Sequence, residues 1–282
     1  MNICLLTDSA QHPVLTDVLA MLADRHSVSA RDPRTLVHPG QPDTPLAQPD
    51  ADVYLLKSRS PEALAFAFAA ERAGATVVNR PAATALCLDR LALARRLRAG
   101  GVPTPRTWGF RTLQALAAAN PALAAALPWP LVLKSARSRR GDLVQLVHSH
   151  AELSALLDHW GDEPIVAQEF APNDGWDVKM WVIPSHLAVA RRPAALGDTS
   201  KDKSGADVLV GSDQLPDEWA RLAGSVGSLL GLELFGVDLV ISQGQPVVVD
   251  VNAFPGFRSA PGAPEALATF VERVGAAGRA SA

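Results

Sequence analysis

The chain has few cysteines, few aromatic residues and no strong excess of charge of either sign. It contains 2 cysteines among 282 residues, 5% aromatic residues and a formal net charge of −3. Cys4 and Cys87 form no CxxC pair, so they offer no metal motif and indicate a reducing compartment. His148 and His150 have the spacing of one strand face but no third ligand nearby, which favours surface residues over a zinc site.

Long apolar runs, broad basic patches and a dinucleotide fingerprint are also missing. No apolar run reaches the length of a membrane span, and residues 1–8 lack the basic start of a secretory signal. No basic patch is broad enough for nucleic acid, and no GxGxxG motif follows the first apolar run. We therefore expect a cytoplasmic protein without a membrane or nucleic-acid partner.

The chain does have the length and the 48% hydrophobic content of a globular protein with more than one domain. Residues 1–80 alternate short apolar strands with helices, which predicts an α/β unit with a partly parallel sheet. Its expected strands are 3–6, 53–56 and 76–78, its helices are 13–22 and 61–73, and 32–50 is a surface loop. A central α+β subdomain is expected over 81–170 and a C-terminal one over 171–282.

The two later parts contain further strand and helix patterns. In the central part they are a helix at 89–97, an Ala-rich helix at 113–127 broken near Pro121, two strands around a basic loop within 129–147, a helix at 151–160 and a strand at 165–170. In the last part they are paired strands at 176–183 and 187–192, a mobile loop at 197–205, an amphipathic helix at 216–230 and a helix from Pro264.

Two β-branched runs around a short Gly-containing turn predict a β-hairpin near the C-terminus. With a loop at 243–245, Asp238 lies opposite Asp250, and Asn252 shares their face. Two opposed carboxylates repel each other unless a cation lies between them. Two carboxylates and an amide oxygen form a hard ligand set suited to Mg²⁺. The same register pairs Ser242 with Pro246 and Val240 with Val248.

Other candidate residues lie near strand ends. Lys134 closes a strand ahead of a basic loop and is placed to hold nucleotide phosphates. The segment Gln168-Glu169-Phe170-Ala171 leaves a strand, and its backbone can read an adenine edge. A surface lysine and a plain interdomain linker are the alternatives for these two features.

Charged residues of the last part complete the candidate set. Asp177 and Lys179 project together from one strand, either as an ion pair or as a lining of the nucleotide cleft. Arg191 and Arg192 point to opposite sides of the next strand, so one of them faces the site. Arg258 follows the hairpin and is suited to neutralising a phosphoryl group or an anionic substrate.

Taken in order, these motifs resemble the ATP-grasp superfamily, over roughly residues 80 to 275. The residues that carry the resemblance are Lys134, Gln168-Glu169-Phe170, Asp177-Val178-Lys179, Arg191-Arg192, Gly236-Val237-Asp238 and Asp250-Val251-Asn252-x-x-Pro255-Gly256.

The resemblance implies an α/β and α+β fold in which an N-terminal pre-grasp domain precedes two subdomains that sandwich ATP. It implies that Lys134 holds phosphates, that 168–171 faces adenine, and that Asp238, Asp250 and Asn252 bind Mg²⁺ or Mn²⁺. The γ-phosphoryl group then passes to an acceptor oxygen, in most members a carboxylate that an amine or a thiol attacks.

Three positions depart from the family pattern. Arg90 stands where the family commonly has lysine, which keeps the charge and changes its geometry. The loop after Lys134 is usually glycine-rich, and here it carries Arg137, Arg139 and Arg140 with Gly141. Asp250 replaces a glutamate with a shorter carboxylate.

Three functions remain open at this point. The C-terminal part is similar to glutamate-ligase types, which add amino acids to peptides or small acids. The segment 250–257 with Lys179 is instead similar to inositol polyphosphate kinases, which phosphorylate a hydroxyl. A nucleotide-binding regulator without turnover is the third. The superfamily favours the ligase, with an anionic small-molecule or peptide substrate, and a homo-oligomer is possible.

Overall fold

The computed structural model describes residues 1–9, 12–36, 48–119, 126–137, 143–160, 162–194, 196, 207–211 and 213–280. Three β-sheets lie within these ranges. Arg139, Arg140, Gly141, the break near Pro121 and the loop at 197–205 fall outside them.

The first sheet is parallel, with the strand order β2-β1-β3-β4. It contains β1 (Asn2–Leu6), β2 (Ser27–Arg31), β3 (Val53–Leu56) and β4 (Thr76–Val78), with helices α1 (Pro13–Ala23) and α2 (Pro61–Arg72). Each helix begins with a proline, whose fixed φ suits the first turn. Strand β2 was not predicted because its half-exposed residues form no apolar run.

The central part forms an antiparallel sheet with the order β5-β8-β6-β7. Its strands are β5 (Thr107–Phe110), β6 (Leu131–Ser135), β7 (Val144–Val147) and β8 (Ile165–Glu169). Its helices are α3 (Pro81–Leu88), α4 (Arg90–Ala99), α5 (Leu113–Ala117), α6 (His150–Ala155) and α7 (Leu157–Trp160). The helix expected at 151–160 is therefore two short helices that meet at Leu156.

The last part forms an antiparallel sheet with the order β11-β10-β9-β12-β13. It contains β9 (Trp176–Ile183), β10 (His186–Pro193), β11 (Val208–Leu209), α8 (Asp217–Leu230), β12 (Phe235–Ser242), β13 (Gln245–Ala253) and α9 (Ala263–Ala280). The predicted pairing of β9 with β10 is confirmed. Helix α8 packs through Gly227, where a Cβ would lie 2.8 Å from the Phe235 ring.

Packing joins the parts across the expected boundaries. Residues of α3, α4 and α8 cover one face of the five-stranded sheet, where they contact Val178 and Met180. Helix α9 shares a core with α1, and that core also contains Trp181 and Phe254. The other face of the N-terminal sheet packs on α2. The boundaries at residues 80 and 170 stay a prediction.

No helix in the described ranges is long and apolar enough to cross a lipid bilayer.

Candidate active site

The hairpin of β12 and β13 places the two predicted carboxylates opposite each other, but its turn and its strand register differ from those predicted. Its turn has two residues, Gln243 and Gly244, with φ of +51° and +78°, as a type I′ turn requires. The expected loop at 243–245 is therefore wrong. The observed pairs are Ser242 with Gln245, Ile241 with Pro246, Val240 with Val247 and Leu239 with Val248.

A β-bulge corrects this shift of one residue. The register changes between Asp238 and Leu239, and Val249 is the extra residue on β13. Beyond the bulge Asp238 pairs with Asp250, as predicted. The opposed carboxylates thus depend on both the turn and the bulge.

Asp238 lies at the centre of a charged row, because β12 runs between β9 and β13. On one side Lys179 Nζ lies 2.6 Å from Asp238 Oδ1 and 2.7 Å from Oδ2. On the other, Asn252 Nδ2 donates to Asp238 Oδ2 at 3.2 Å and to Asp250 Oδ2 at 3.4 Å. Arg192 Nη2 is 3.5 Å from Asp238 Oδ1. Cations and an amide therefore balance the two acids in this structure.

These donors fit a hard divalent cation. The described residues contain no group of three His, Cys, Asp or Glu side chains that could hold a metal ion. Two carboxylates and the Asn252 amide nevertheless meet within hydrogen-bond distance. Mg²⁺ usually takes one or two protein carboxylates and completes its shell with water and phosphate oxygens. Asp238 and Asp250 therefore supply two carboxylates of the kind that Mg²⁺ takes beside a nucleotide. Asn252 presents Nδ2 to them and Oδ1 to Arg59, so its amide would have to turn for the oxygen to join the set.

Lys134 reaches the same place from the end of β6. Its Nζ donates to Gln168 Oε1 at 2.8 Å and to the carbonyl of Val249 at 3.2 Å. Burial lowers the pKa of Lys134, whereas the charges of Asp250 and Asp238 act in the opposite direction. Its hydrogen-bond acceptors are neutral oxygens, so its positive charge remains available to an anion.

A cleft of about 340 Å³ between the central and C-terminal sheets collects most of the predicted site. The predicted residues that line it are Arg90, Lys134, Gln168, Glu169, Phe170, Ala171, Asp177, Arg192, Asp238 and Asp250. Apolar side chains of Val132, Val144, Leu196 and Val240 complete its wall. The lining thus combines apolar side chains with charged ones.

Backbone hydrogen bonds fix the strand exit at 168–171. Glu169 N donates to Arg106 O at 2.9 Å, and Phe170 N donates to Pro130 O at 3.2 Å. The Arg106 guanidinium binds the Glu169 carboxylate at 2.9 Å and lowers its pKa. Gln168 Nε2 donates to Thr107 Oγ1 at 3.2 Å, which orients the amide oxygen toward Lys134.

The arginines divide as the strand alternation requires. Arg192 lines the cleft. Arg191 binds Asp174 at 2.8 Å and stacks over Trp176, away from the cleft lining. Arg258 is exposed beyond Phe257. Of the two remaining predicted residues, Lys179 and Asn252 contact Asp238 without lining the cleft itself.

Arg90 supports the site from the first turn of α4. Its Nη1 donates to the carbonyl of Ser135 at 2.7 Å, and its backbone N donates to Ala136 O at 3.0 Å. Arg137 forms an isolated bridge with Asp89. These contacts fix the backbone that directly follows Lys134.

Three residues of the N-terminal unit reach the site and were not predicted. Lys57 Nζ donates to Phe254 O at 2.7 Å, and Arg59 Nη2 lies 3.3 Å from Asn252 Oδ1. The buried His12 ring lies beside Gly256, where a Cβ would be 3.0 Å from Nε2. The sequence contained a signal for Lys57 and Arg59, since both follow β3 closely. The carboxyl ends of parallel strands commonly form binding sites.

Known proteins share this architecture and sequence pattern. The chain is 26% identical to human beta-citrylglutamate synthase B over 219 residues, which is 76% of this chain and 53% of that protein. It is 26% identical to human N-acetylaspartylglutamate synthase A over 223 residues, 76% of this chain and 52% of that protein. The chain thus spans about half the length of these relatives.

A solved structure matches nearly the whole chain. The RimK domain protein ATP-grasp from Sphaerobacter thermophilus superimposes with a TM-score of 0.73 and 26% identity, covering 96% of this chain and 100% of the other. The RimK-like ATP-grasp domain family matches residues 97–261, the segment that contains β5 to β13 and the charged row. The fold, the order of the motifs and this match agree: the chain belongs to the RimK-like ATP-grasp family.

Proposed function

We propose that this protein is an ATP- and Mg²⁺-dependent carboxylate–amine ligase that acts on an amino acid, a peptide or a small acid through an acyl phosphate. The observation that carries the proposal is the cleft that Lys134, Asp238 and Asp250 line together with apolar side chains. The charged groups suit a polyphosphate, and the apolar side chains suit a flat base.

The nucleotide is bound by residues from both sheets. Lys134 binds the α/β-phosphates as a buried point charge. The adenine ring packs on Val132 and Val240 and is read by the backbone at 169–171, since the N–H of Ala171 has no hydrogen-bond partner within the described residues. Asp177 and Arg192 also line the cleft.

Asp238, Asp250 and Asn252 hold Mg²⁺ in this proposal. The ion would neutralise phosphate charge as the γ-phosphoryl group leaves the nucleotide. Lys179 Nζ contacts both carboxylate oxygens of Asp238. It therefore orients that carboxylate and balances its charge when the ion is absent.

The reaction needs positioning and charge neutralisation rather than a covalent enzyme intermediate. A carboxylate oxygen of the acceptor attacks the γ-phosphorus, the bond from that phosphorus to the β-phosphate oxygen breaks, and ADP leaves. An amine then attacks the acyl carbon, phosphate leaves with the C–O bond electrons, and the amine loses a proton. Arg192 and Arg258 neutralise the transferring group and the acceptor.

The relatives favour the ligase over the kinase, because the names of the two human proteins describe the synthesis of glutamate conjugates. No contact in the described part of the chain specifically favours a hydroxyl acceptor or a regulator without turnover. The domain boundaries, a cytoplasmic location and a possible homo-oligomer belong to this proposal as expectations.

ADP and free phosphate measured together test the proposal. Purified protein with Mg²⁺ and ATP is supplied with acids, amines and polyols, singly and in pairs. Equal amounts of ADP and phosphate that require both an acid and an amine establish the ligase. ADP with phosphate retained on a polyol would show that the protein is a kinase.

Asp250→Asn is the matched loss-of-function variant, because it keeps the size of the side chain and removes a charge from the metal set. We expect ADP formation to fall by at least about 100-fold, as for removal of a group that stabilises transition-state charge. Asp17→Asn, at an exposed position on α1, should behave as wild type. Equal activity of D250N and wild type would contradict the assignment of the metal site.

A further inference from the structure

The side-chain amide of Asn252 is oriented with its nitrogen, not its oxygen, toward the two acids of the hairpin. Its Nδ2 donates to Asp238 Oδ2 at 3.2 Å and to Asp250 Oδ2 at 3.4 Å. Its Oδ1 accepts a hydrogen bond from Arg59 Nη2 at 3.3 Å. An amide binds Mg²⁺ through its oxygen, because its NH₂ group is a donor only. The two ends of the amide would therefore have to exchange places before Asn252 could become a ligand.

The partners of Asn252 determine this orientation. An ionised carboxylate only accepts hydrogen bonds, and a guanidinium only donates them. With the amide reversed, its oxygen would face the carboxylates of Asp238 and Asp250, and its NH₂ group would face Arg59. Each of the three favourable contacts would then become an unfavourable one, so the observed orientation is the stable one in the metal-free protein.

Arg59 is the one of these three partners whose preference a metal ion does not change. Once Asp238 and Asp250 bind an ion, an amide oxygen on their side faces a positive charge and is stabilised. On the other side, the reversed NH₂ group still meets the donors of the guanidinium. Arg59 therefore opposes the orientation that metal coordination by Asn252 requires.

The backbone around Arg59 is firmly held. Ser58 is 1% exposed, and its N donates to Leu6 O at 2.8 Å. Ser60 is the N-cap of α2, and its side chain accepts a backbone N–H of the first turn. The guanidinium itself has a second acceptor in Ala253 O at 3.3 Å. The N-terminal unit thus fixes the position of Arg59, whereas Asn252 belongs to the C-terminal hairpin.

Two further cations disfavour a free metal ion at the same acids. Lys179 Nζ lies 2.6 Å from Asp238 Oδ1, and Arg192 Nη2 lies 3.5 Å from the same oxygen. Together with Arg59, three cationic side chains contact either Asp238 or Asn252. A free divalent cation meets the repulsion of these charges, whereas an ion bound to phosphate oxygens brings compensating negative charge with it.

We propose that Arg59 is a positioning residue that holds the Asn252 amide in the orientation that cannot bind a metal ion. Free Mg²⁺ is therefore bound weakly, and the ion enters the site together with the nucleotide, whose phosphates supply both oxygen ligands and negative charge. The N-terminal unit thereby controls a metal site that it does not itself contain. This inference rests on the metal site of the proposed function and adds to it a residue that is not a ligand.

Binding of Mn²⁺ without turnover tests the inference. Mn²⁺ is titrated in the absence of nucleotide into wild type, Arg59→Met, Asn252→Ala and the double variant, and free Mn²⁺ is measured by electron paramagnetic resonance. We expect R59M to bind Mn²⁺ about tenfold or more tightly than wild type, as for removal of a hydrogen bond to a charged group. In the N252A background the same change should alter the affinity by less than about threefold, because only the loss of a charge remains.

Three controls make the result specific. Arg72→Met, at an exposed position on α2, also removes one charge from the N-terminal unit and should bind Mn²⁺ as wild type does. Adding Asp250→Asn to R59M should abolish the gain, which places the ion at the hairpin. Arg59 is half-buried, so Arg59→Gln, which keeps a polar side chain, is the second variant and should show the same direction of change.

Melting temperatures give a second readout that needs no spin probe. Wild type should respond to Mg²⁺ only when ATP is also present, whereas R59M should respond to Mg²⁺ alone. A response of wild type to Mg²⁺ alone that equals the response of R59M would overturn the inference.

The outcomes also separate this inference from the ligase proposal. Mn²⁺ affinity of R59M and R59Q no higher than that of wild type, or a gain that N252A leaves undiminished, overturns the role of Arg59. The expected gain without ADP formation from any acid and amine pair supports that role and contradicts the ligase. ADP formation that requires both an acid and an amine, with equal Mn²⁺ affinity in wild type and R59M, has the opposite meaning.

Discussion

Lys134 is a cation kept in a buried position by neutral hydrogen-bond acceptors. Its side chain is 9% exposed, and the oxygens of Gln168 and Val249 solvate its Nζ. A buried charge without a close counter-charge is costly in the free protein and gains a partner when a phosphate binds. The sequence identified the residue, but its burial and its partners come from two other strands.

We expect Lys134→Met to lose ATP binding while the protein still folds. Methionine fills a similar volume without the charge, so affinity for ATP should fall by at least about tenfold. The check is the rise in melting temperature that ATP with Mg²⁺ produces in wild type, which K134M should lack. Arg111→Met, at an exposed position after β5, is the control and should keep that rise. An unchanged ATP response in K134M would contradict the role of Lys134.

Lys57 predicts a pH dependence of stability. Burial and the charge of Arg59 lower its pKa from 10.5 to about 8. Since the folded pKa lies below that of the unfolded chain, the cost of charging Lys57 is present below pH 8 and disappears as pH rises toward 10.5. Chemical denaturation across this range is the measurement.

Lys57→Met is the matched variant for this dependence, because methionine has no proton to lose. The free energy of unfolding of wild type should rise relative to that of K57M between pH 8 and 10.5. A difference between the two proteins that stays constant over this range would contradict the assignment.

At the scale of elements, the β12–β13 hairpin shows how two irregularities set a site. The two-residue turn pairs Leu239 with Val248. A regular ladder beyond that pair would place Asp238 opposite Val249 instead of Asp250. The bulge at Val249 restores the pairing of Asp238 with Asp250 and also presents the Val249 carbonyl to Lys134. Bulges commonly redirect side chains near active sites.

The turn of this hairpin gives a stability prediction. Gln243 has φ of +51°, a left-handed conformation that costs an ordinary side chain about 1 kcal/mol. Asparagine tolerates this conformation, and Asn-Gly is the preferred type I′ pair. Gln243→Asn should therefore raise the free energy of unfolding by several tenths to about 1 kcal/mol. Chemical denaturation measures it.

Gln245→Asn is the control for the turn variant, because Gln245 is equally exposed but lies in β13. Asparagine is depleted in strands, so this change should give no gain. A larger gain from Q245N than from Q243N would show that the turn conformation is not the cause.

Element prediction succeeded where apolar residues recur with a clear period. On α8 four of the five residues of the expected apolar face are buried, and Leu222 is partly buried against the same core. The four are Trp219, Ala223, Val226 and Leu230. Strand β5 and strand β2 were missed, because each is short and only partly buried at the edge of its sheet. Their strand conformation follows from pairing with β8 and β1, which a local pattern does not encode.

At the scale of the whole molecule, the last helix closes the first sheet. Helix α9 packs on α1, and its Leu267, Phe270 and Val271 share one core with Ile3 and Leu5 of β1. The same core reaches Trp181 on β9 and Phe257 beyond β13. The segment bearing Arg258 is therefore held between the N-terminal unit and the five-stranded sheet, which brings Lys57 and Arg59 to the end of the hairpin.

Phe270→Ala tests this connection. Phe270 is 2% exposed, and its truncation should cost about 3–5 kcal/mol of unfolding free energy. Hydrogen exchange should show β1 and β9 losing protection together, since one core joins them. Thr269→Ala, exposed on the same helix, should cost far less. Destabilisation confined to α9 would show that the N-terminal unit folds independently of it.

The sequence by itself determined the family pattern and most of the elements, because buried apolar residues recur with helix and strand periods and because the acid pair with Asn252 is compact in sequence. It also identified ten residues that line the cleft. Only the tertiary structure decided the register beyond the bulge, the burial of Lys134, the side of β10 that faces the site, and the arrival of His12, Lys57 and Arg59. The physical reason is that these features depend on contacts between residues distant in sequence, such as Lys57 with Phe254, which neither periodicity nor spacing records.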